Sequence, residues 1–203
     1  MISEVVNYKR KDIFDHYNSC DNPFTIITTE FDVTNVVDYC KKNGNFYATL
    51  GYLITEVVNN IEEFKYRYSN DKIYYCDEIR SNYTEMYDDK SIGYFDLPII
   101  HEYSSYIEEF NKIKNEFLLK KEYMTGYSLD EIWISCAPWF KFNGLITPFN
   151  KNVTIPQFIW DKYECKNGKY YINMMIMIHH GFADGYHIGL FINELQNRIN
   201  SFK

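Results

Sequence analysis

The stretch Tyr171-Ile172-Asn173-Met174-Met175-Ile176-Met177-Ile178-His179-His180-Gly181-Phe182-Ala183-Asp184-Gly185 carries more structural information than any other in the chain. Its first eight residues are almost all apolar, which is typical of a buried β-strand. Apolar residues then recur at helical spacing from Ile188 to Ile199. The stretch therefore predicts a strand that ends at a histidine pair and leads, through a tight turn at Gly185, into a helix.

The histidine pair is the first candidate for chemistry. Imidazole titrates near neutral pH, so a histidine held at a rigid strand end suits general-base catalysis. Adjacent strand residues point to opposite faces, so His179 and His180 cannot easily share one metal ion. No cysteine or carboxylate stands at familiar metal-ligand spacing, since Asp184 follows a turn. We therefore predict no metal site, with one histidine directed into a site and the other directed away.

The rest of the chain alternates helical and strand patterns without a repeat or linker. The helical patterns cover Arg10–Tyr17, Asn35–Lys42, Phe46–Ile61, Ser104–Leu119 and Ile188–Ile199. The strand patterns cover Phe24–Val33, Phe64–Tyr68, Ile73–Cys76, one or two stretches between Asn82 and Phe95, Ile132–Cys136, Gln157–Tyr163 and Lys169–Ile178. These patterns predict a single α+β domain over residues 1–203, a two-layer sandwich in which helices pack on one mixed, mostly antiparallel sheet.

Composition excludes several classes of protein. The formal net charge of −7 disfavours nucleic acid and anionic membrane surfaces as partners. The five cysteines are scattered and lack C-x-x-C spacing, which favours free thiols and predicts a reducing, cytoplasmic location. The N-terminus has no signal-peptide pattern, and no apolar run reaches the roughly 18 residues of a membrane span.

Several short motifs together resemble one enzyme family. The turn His179-His180-x-x-x-Asp184-Gly185 is similar to the signature of the chloramphenicol acetyltransferase family. Other matches occur in the family's order along nearly the whole chain: Tyr8–Phe14, Glu63–Arg67, Tyr83-Thr84, Tyr103–Ser105, Ser135-Cys136-Ala137-Pro138-Trp139 and Trp160–Tyr163. The resemblance implies a chloramphenicol acetyltransferase-like fold and a homotrimer with active sites at subunit interfaces.

The resemblance also implies roles in an acetyl transfer from acetyl-CoA to a hydroxyl of chloramphenicol, with both substrates bound together. His180 matches the catalytic general base. Ser135 matches the serine that hydrogen-bonds the oxyanion, although a serine beside a base can also act as a nucleophile. Asp184 resembles the acid of a triad, yet its family counterpart pairs with an arginine that matches Arg10.

Binding residues follow from the same resemblance. Lys162 and Tyr163 match positions that contact coenzyme A, at a phosphate and at the adenine. Tyr17 matches a tyrosine near the catalytic loop. The aromatic contact to the acceptor corresponds to Tyr94 or Phe95, of which we select Phe95.

The departures from the family concentrate where the acceptor binds. Ile159 replaces a threonine that aids the transition state through water, the loop Cys20–Pro23 is more polar and shorter, and the segment Tyr87–Ile100 is longer. Three alternatives therefore stay open: the same chemistry on another hydroxyl acceptor, a non-catalytic ligand-binding relative, and the core of a dihydrolipoyl acyltransferase. We rank the last low because we expect no lipoyl domain or linker in this chain.

Overall fold

A computed structural model of the protein describes residues 1–121 and 126–203. Its strands are β1 (Ile2–Glu4), β2 (Phe24–Asp32), β3 (Tyr66–Ser69), β4 (Lys72–Cys76), β5 (Arg80–Met86), β6 (Ile92–Asp96), β7 (Glu131–Ala137), β8 (Gln157–Asp161), β9 (Glu164–Lys166) and β10 (Lys169–His179). Its helices are α1 (Lys11–Asn18), α2 (Thr34–Asn43), α3 (Phe46–Asn59), α4 (Tyr103–Lys120) and α5 (Gly185–Ser201), with a 3-10 turn at Glu62–Lys65.

The main sheet has the strand order β2-β10-β8-β7-β5-β6, with β9 paired to β10. The pairs β5–β7 and β7–β8 are parallel, and the other pairs are antiparallel. The predicted mixed sheet packed by helices is therefore confirmed. A second, three-stranded sheet in the order β1-β4-β3 was not predicted. All three residues of β1 are exposed, so its sequence has no pattern of alternating burial to reveal it.

One face of the main sheet packs against the helices. The strand β10 supplies alternate buried residues to this core: Ile172, Met174, Ile176 and Ile178. Helix α3 contributes Leu50, Ile54, Val57 and Val58, none of which is exposed to solvent. Each such side chain stabilises the fold by about 1.5–3 kcal/mol through the burial of apolar surface.

The opposite face carries two rows of side chains that run across the strands. The parallel register places Asn82 beside Trp133, and Trp133 beside Gln157. In the next row Tyr94 lies beside Thr84, and Ser135 lies beside Ile159. Because side chains alternate between faces, these residues all point away from the helices. This face therefore carries polar and aromatic side chains on β5, β6 and β7, whereas on β10 Met175 and Met177 belong to a small buried apolar cluster with Phe24 and Phe142.

Among the residues that the structure describes, no helix combines the length and the apolar character needed to cross a membrane.

Candidate active site

His180 follows the last residue of β10, and its backbone and ring are both held in place. Its backbone N–H donates to the carbonyl oxygen of Pro23 at 2.8 Å. Its ring Nδ1 lies 3.3 Å from the carbonyl oxygen of Ala183. A carbonyl oxygen can only accept a hydrogen bond, so Nδ1 carries the proton and Nε2 presents its lone pair. That tautomer is the one a general base requires.

The free edge of His180 opens on a cleft of about 400 Å³, which we call the histidine cleft. It is lined by Arg10, Asp12, Ile13, His16, Tyr17, His180 and Asp184. The ring of Tyr17 stacks on the His180 imidazole, with 4.0 Å between ring centroids. Tyr17 therefore lies against His180, and the stacking restricts the rotation of the imidazole.

His179 points the other way and is completely buried. Its ring stacks on Phe14 at 5.2 Å, and Phe182 lies at the same distance. Its Nδ1 accepts a hydrogen bond from the Gly181 N–H at 3.1 Å. Burial, with a smaller contribution from His180, lowers the pKa of His179 to about 4. His179 is therefore a neutral core residue, which agrees with the prediction that the two histidines face apart.

The loop after the histidines is anchored by an ion pair between Arg10 and Asp184. Arg10 Nη2 donates to Asp184 Oδ2 at 2.9 Å, and its Nη1 donates to the Phe182 carbonyl oxygen at 2.8 Å. Asp184 also caps α5, since its Oδ1 accepts from the Tyr186 N–H at 3.0 Å. Partial burial raises the pKa of the Asp184 carboxyl, but His187, this N–H and Arg10 outweigh it and lower the pKa overall. No hydrogen bond joins Asp184 to His180 among the described residues.

His187 is a residue of this region that sequence reasoning missed. The Asp184 N–H donates to His187 Nδ1 at 3.2 Å, which completes a capping box at the start of α5. His187 Nε2 lies 3.5 Å from Glu63 Oε1. The signal was present in the sequence, because an N-cap aspartate followed three positions later by a polar side chain is the pattern of a capping box.

Ser135 lies on β7 and lines a different opening, a cavity of about 640 Å³ on the sheet face away from the helices. We call it the sheet cavity, and its lining is Asn82, Thr84, Ile92, Tyr94, Gly126, Tyr127, Trp133, Ile134, Ser135, Thr147, Pro148, Gln157 and Ile159. No side-chain hydrogen bond engages the Ser135 hydroxyl within the described residues. Ile159, the position at which the resemblance implies a threonine, lies directly beside Ser135 in the parallel register.

The structure corrects the assignment of Phe95 as the acceptor contact. Phe95 is 4% exposed and packs in the helix-side core against Tyr83 and Phe110. Its neighbour Tyr94 lines the sheet cavity instead. Adjacent strand residues face opposite sides of the sheet, so choosing Phe95 in place of its neighbour Tyr94 selected the wrong face.

Lys162 and Tyr163 follow β8 and line neither opening. Both are exposed. The Lys162 N–H donates to the Phe140 carbonyl oxygen at 3.2 Å, and the Tyr163 ring packs edge-on against Phe46 and Tyr170. No ion pair engages the Lys162 ammonium in the described part of the chain, so it is available to an anionic ligand.

His180 and Ser135 lie far apart within one chain. Ser135 shares a row with Ile159 and Met175, whereas His180 follows His179, four positions beyond Met175 on β10. Ser135 is therefore two strands away from β10 and four residues short of the end of that strand. With ordinary strand geometry, the backbone of Ser135 and that of His179 are roughly 16 Å apart. A base and an oxyanion donor must each approach the reacting atoms to about 3 Å. Within one copy of the chain the two residues are therefore too far apart to contact the same reacting atoms, and we refer to the histidine cleft and the sheet cavity as two half-sites.

The fold is shared with solved acyltransferase structures. A solved chloramphenicol acetyltransferase structure superposes with a TM-score of 0.83 at 21% identity, covering 98% of this chain and 100% of the other. A probable dihydrolipoamide acetyltransferase from Listeria monocytogenes superposes with a TM-score of 0.70 at 13% identity, covering 99% of this chain and 95% of the other. At these identities the two likenesses establish the fold alone.

Sequence comparison identifies the family. The family model described as chloramphenicol acetyltransferase matches residues 2–196. A chloramphenicol acetyltransferase of Staphylococcus aureus is 32% identical over 208 aligned positions, which cover 98% of this chain and 95% of the relative. The chain belongs to the chloramphenicol acetyltransferase family and is an acyltransferase of that type.

Proposed function

We propose that this protein transfers the acetyl group of acetyl-CoA to a hydroxyl of chloramphenicol by direct attack, with both substrates bound at once. The observation that carries the proposal is the 3.3 Å contact between His180 Nδ1 and the Ala183 carbonyl oxygen, which assigns the proton to Nδ1 and leaves Nε2 as a base in the histidine cleft. The full-length similarity to chloramphenicol acetyltransferases supports the choice of donor and acceptor.

In the proposed reaction His180 Nε2 accepts the hydroxyl proton as the acceptor oxygen attacks the thioester carbonyl. The Ser135 hydroxyl donates to the resulting oxyanion. The tetrahedral intermediate then collapses, the carbon–sulfur bond breaks, and the imidazolium returns its proton to the leaving thiolate. This sequence needs no covalent acetyl-enzyme, because acceptor and donor meet in one site. Lys162 and Tyr163 are the proposed contacts to coenzyme A.

We further propose that each active site forms between two copies of the chain, in a homotrimer. The separation of the half-sites supports this, since His180 of one copy can face Ser135 of the next. The segment after Ser135 exposes large apolar side chains, with Trp139 at 63%, Phe140 at 54% and Ile146 at 74% of their surface accessible. Such a cluster is typical of a surface that another chain covers. The proposed number of copies, three, rests on the resemblance. The proposed cytoplasmic location rests on the free cysteines.

A thiol-release assay with acetyl-CoA and a panel of hydroxylated compounds tests the reaction. Release that depends on chloramphenicol, with an acetylated product, supports the proposal. Rapid release with another alcohol and none with millimolar chloramphenicol would favour a different acceptor. Binding without any release would favour the non-catalytic relative.

A complementation experiment tests the shared site. His180→Ala and Ser135→Ala chains, each expected to keep about 1% of the activity or less, are unfolded together and refolded as a mixture. If one site draws its two residues from two copies, mixed oligomers regain intact sites and a substantial fraction of the activity. If both residues serve within one copy, the mixture stays as inactive as its components.

A further inference from the structure

We propose that Asp161 is a positioning residue for the coenzyme A side of the active site. Its carboxylate holds the segment after β7 against the end of β8, and so fixes the backbone that carries Lys162 and Tyr163. This inference rests on the proposed function in one respect, namely that Lys162 and Tyr163 contact coenzyme A. Asp161 and its partner Lys141 have no part in the proposed reaction itself.

The Asp161 carboxylate is completely buried and accepts four hydrogen bonds. Its Oδ1 accepts from the Lys141 ammonium at 2.9 Å and from the Asn173 N–H at 2.8 Å. Its Oδ2 accepts from the Phe142 N–H and from the Asn173 side-chain amide, both at 3.2 Å. A buried carboxylate is strongly destabilising unless such donors surround it. Here the donors offset that penalty and hold the carboxylate in one orientation.

These bonds join two parts of the chain that are distant in sequence from Asp161 and from each other. Asn173 lies on β10, whereas Phe142 lies in the segment after β7, and the Asn173 amide also donates to the Phe142 carbonyl oxygen at 2.8 Å. A further bond joins the same segment to the residue after Asp161, since the Lys162 N–H donates to the Phe140 carbonyl oxygen at 3.2 Å. The segment after β7 is therefore bonded both to the last residue of β8 and to Lys162.

The reacting groups have supports of their own. Asp161 lies beside Ala137, two positions after Ser135, and Ser135 is held by the backbone pairing of β7 with β8. His180 follows the opposite end of β10 from Asn173. Loss of the Asp161 carboxylate should therefore loosen the chain beyond the strand ends and leave the base and the oxyanion donor in place.

The surroundings of the ion pair favour a role in orientation over a role in stability alone. Phe142 packs with Phe24, Met175 and Met177 in a buried apolar cluster next to Asp161. A buried ion pair contributes no more stability than well-packed apolar side chains of similar volume. Directed hydrogen bonds, when all are satisfied, instead restrict the backbone to one arrangement. Asp161 thus supplies the fixed geometry that two neighbouring ligand contacts require.

Asp161→Ala tests the proposal through the KM of each substrate. KM for acetyl-CoA should rise by about tenfold, roughly the effect of one lost charge-assisted hydrogen bond, whereas kcat and KM for chloramphenicol should stay within about twofold. A role in folding alone would lower the active fraction, and hence kcat, and would leave both KM values unchanged. Lys141→Met removes only the ammonium, so its KM for acetyl-CoA should rise by about threefold.

Two further variants make the result decisive. Asp161→Asn keeps the shape and one acceptor oxygen, so it should raise KM for acetyl-CoA by about threefold or more even if Asp161→Ala does not fold. Asp130→Ala is the matched control, because Asp130 is a partly buried carboxylate that pairs with Arg80 at 3.2 Å. Asp130 precedes β7, at the opposite end of that strand from Ala137. Its KM for acetyl-CoA should equal that of the unmodified protein.

Equilibrium dialysis with coenzyme A alone separates this inference from the proposed function. If Asp161→Ala binds coenzyme A more weakly than the unmodified protein does, while neither acetylates chloramphenicol, the positioning role holds and the proposed reaction fails. If acetylation proceeds and coenzyme A affinity is unchanged in Asp161→Ala and Asp161→Asn, the positioning role is overturned and the reaction stands.

Three other results also overturn the positioning role. One is a rise of KM for chloramphenicol alone in the Asp161 variants. Another is an equal rise of KM for acetyl-CoA in Asp130→Ala. The third is an unmodified protein that does not bind coenzyme A at millimolar concentration, which would overturn the proposed reaction as well.

Discussion

The histidine cleft and the sheet cavity differ in how completely the chain satisfies its own polar groups. In the histidine cleft, His180, Arg10 and Asp184 are each fixed by bonds to the same chain. In the sheet cavity, the Ser135 hydroxyl and one side of the Gln157 amide have no partner in the described residues. A catalytic base must be aimed before the substrate arrives, whereas a binding wall gains affinity from bonds that the substrate completes. The comparison predicts the largest loss of turnover at His180 in the cleft, and at the cavity a smaller loss of turnover for Ser135 together with graded changes of selectivity for its other lining residues.

The largest effect is expected for His180→Ala. Loss of the base should lower kcat by about 10³-fold, within the range for general-base catalysis, while coenzyme A binding persists. Steady-state kinetics and a coenzyme A titration measure the two quantities. His101→Ala is the control, since His101 is exposed, pairs with Glu78 and lines neither the histidine cleft nor the sheet cavity. Near-normal turnover in His180→Ala would remove His180 from the mechanism.

Ser135→Ala should come next, with a loss of about 10²-fold in kcat, because one oxyanion donor is removed. KM for the acceptor should change little if the hydroxyl acts mainly in the transition state. Ser201→Ala, at the exposed end of α5, provides the matched control. A complete loss of activity with a trapped acetyl-enzyme in the unmodified protein would instead identify Ser135 as a nucleophile.

Acid should destabilise the fold through His179. The unfolded chain takes up a proton at this residue near pH 6.5, but the folded chain resists protonation until about pH 4. The unfolded state therefore binds more protons between these values, and stability is lost as the pH falls through this window. The loss from this group is about 2 kcal/mol between pH 7 and pH 5. Urea unfolding at both pH values measures it.

His179→Gln should flatten that pH dependence, since glutamine does not titrate, although the variant starts less stable. His101→Ala should keep the slope of the unmodified protein. If the free energy of unfolding depends on pH to the same extent in all three proteins, protonation of the buried His179 imidazole is not the cause of the acid destabilisation.

Arg10→Ala should cost about 1–2 kcal/mol of stability, less than a fully buried pair, because Asp184 is 37% exposed. It should also lower kcat by about tenfold, because the loop that orients His180 loosens. Thermal unfolding and kinetics are compared with Lys9→Ala, whose ammonium pairs with Glu62 at the surface. Equal results for the two variants would mean that the Arg10–Asp184 pair does not hold the loop.

The smallest effect concerns Ile159. The resemblance implies that a threonine here aids the transition state through water, so we expect weaker chloramphenicol acetylation than a family member with threonine shows. Ile159→Thr should raise kcat/KM for chloramphenicol severalfold, about 1 kcal/mol. Ile159→Val introduces a side chain of the same shape as threonine but without the hydroxyl, so it should give no such gain. Equal kinetics in the two variants would contradict the role of the hydroxyl.

Regular periodicity made most of the elements predictable. The strand before His179, the helix after Gly185 and the long apolar run of α3 each have a repeated pattern, and the structure places them within a few residues of the prediction. Short elements were harder to predict from the sequence. Phe64, predicted to begin a strand, lies in the 3-10 turn Glu62–Lys65, and the strand begins at Tyr66. The pattern for the Phe95 region was too short to fix which side chains face the cavity.

The sequence by itself determined the local geometry of the histidine turn. A strand, an alternation of faces and a capped helix are local properties, so His180, Asp184 and the separation of the two histidines follow from residues next to one another. Only the tertiary structure decided that Tyr94 lines the cavity, that Gln157 and Asn82 share a row, and that Ser135 lies far from His180. These relations depend on the register between strands distant in the chain, which long-range packing sets and no local pattern encodes.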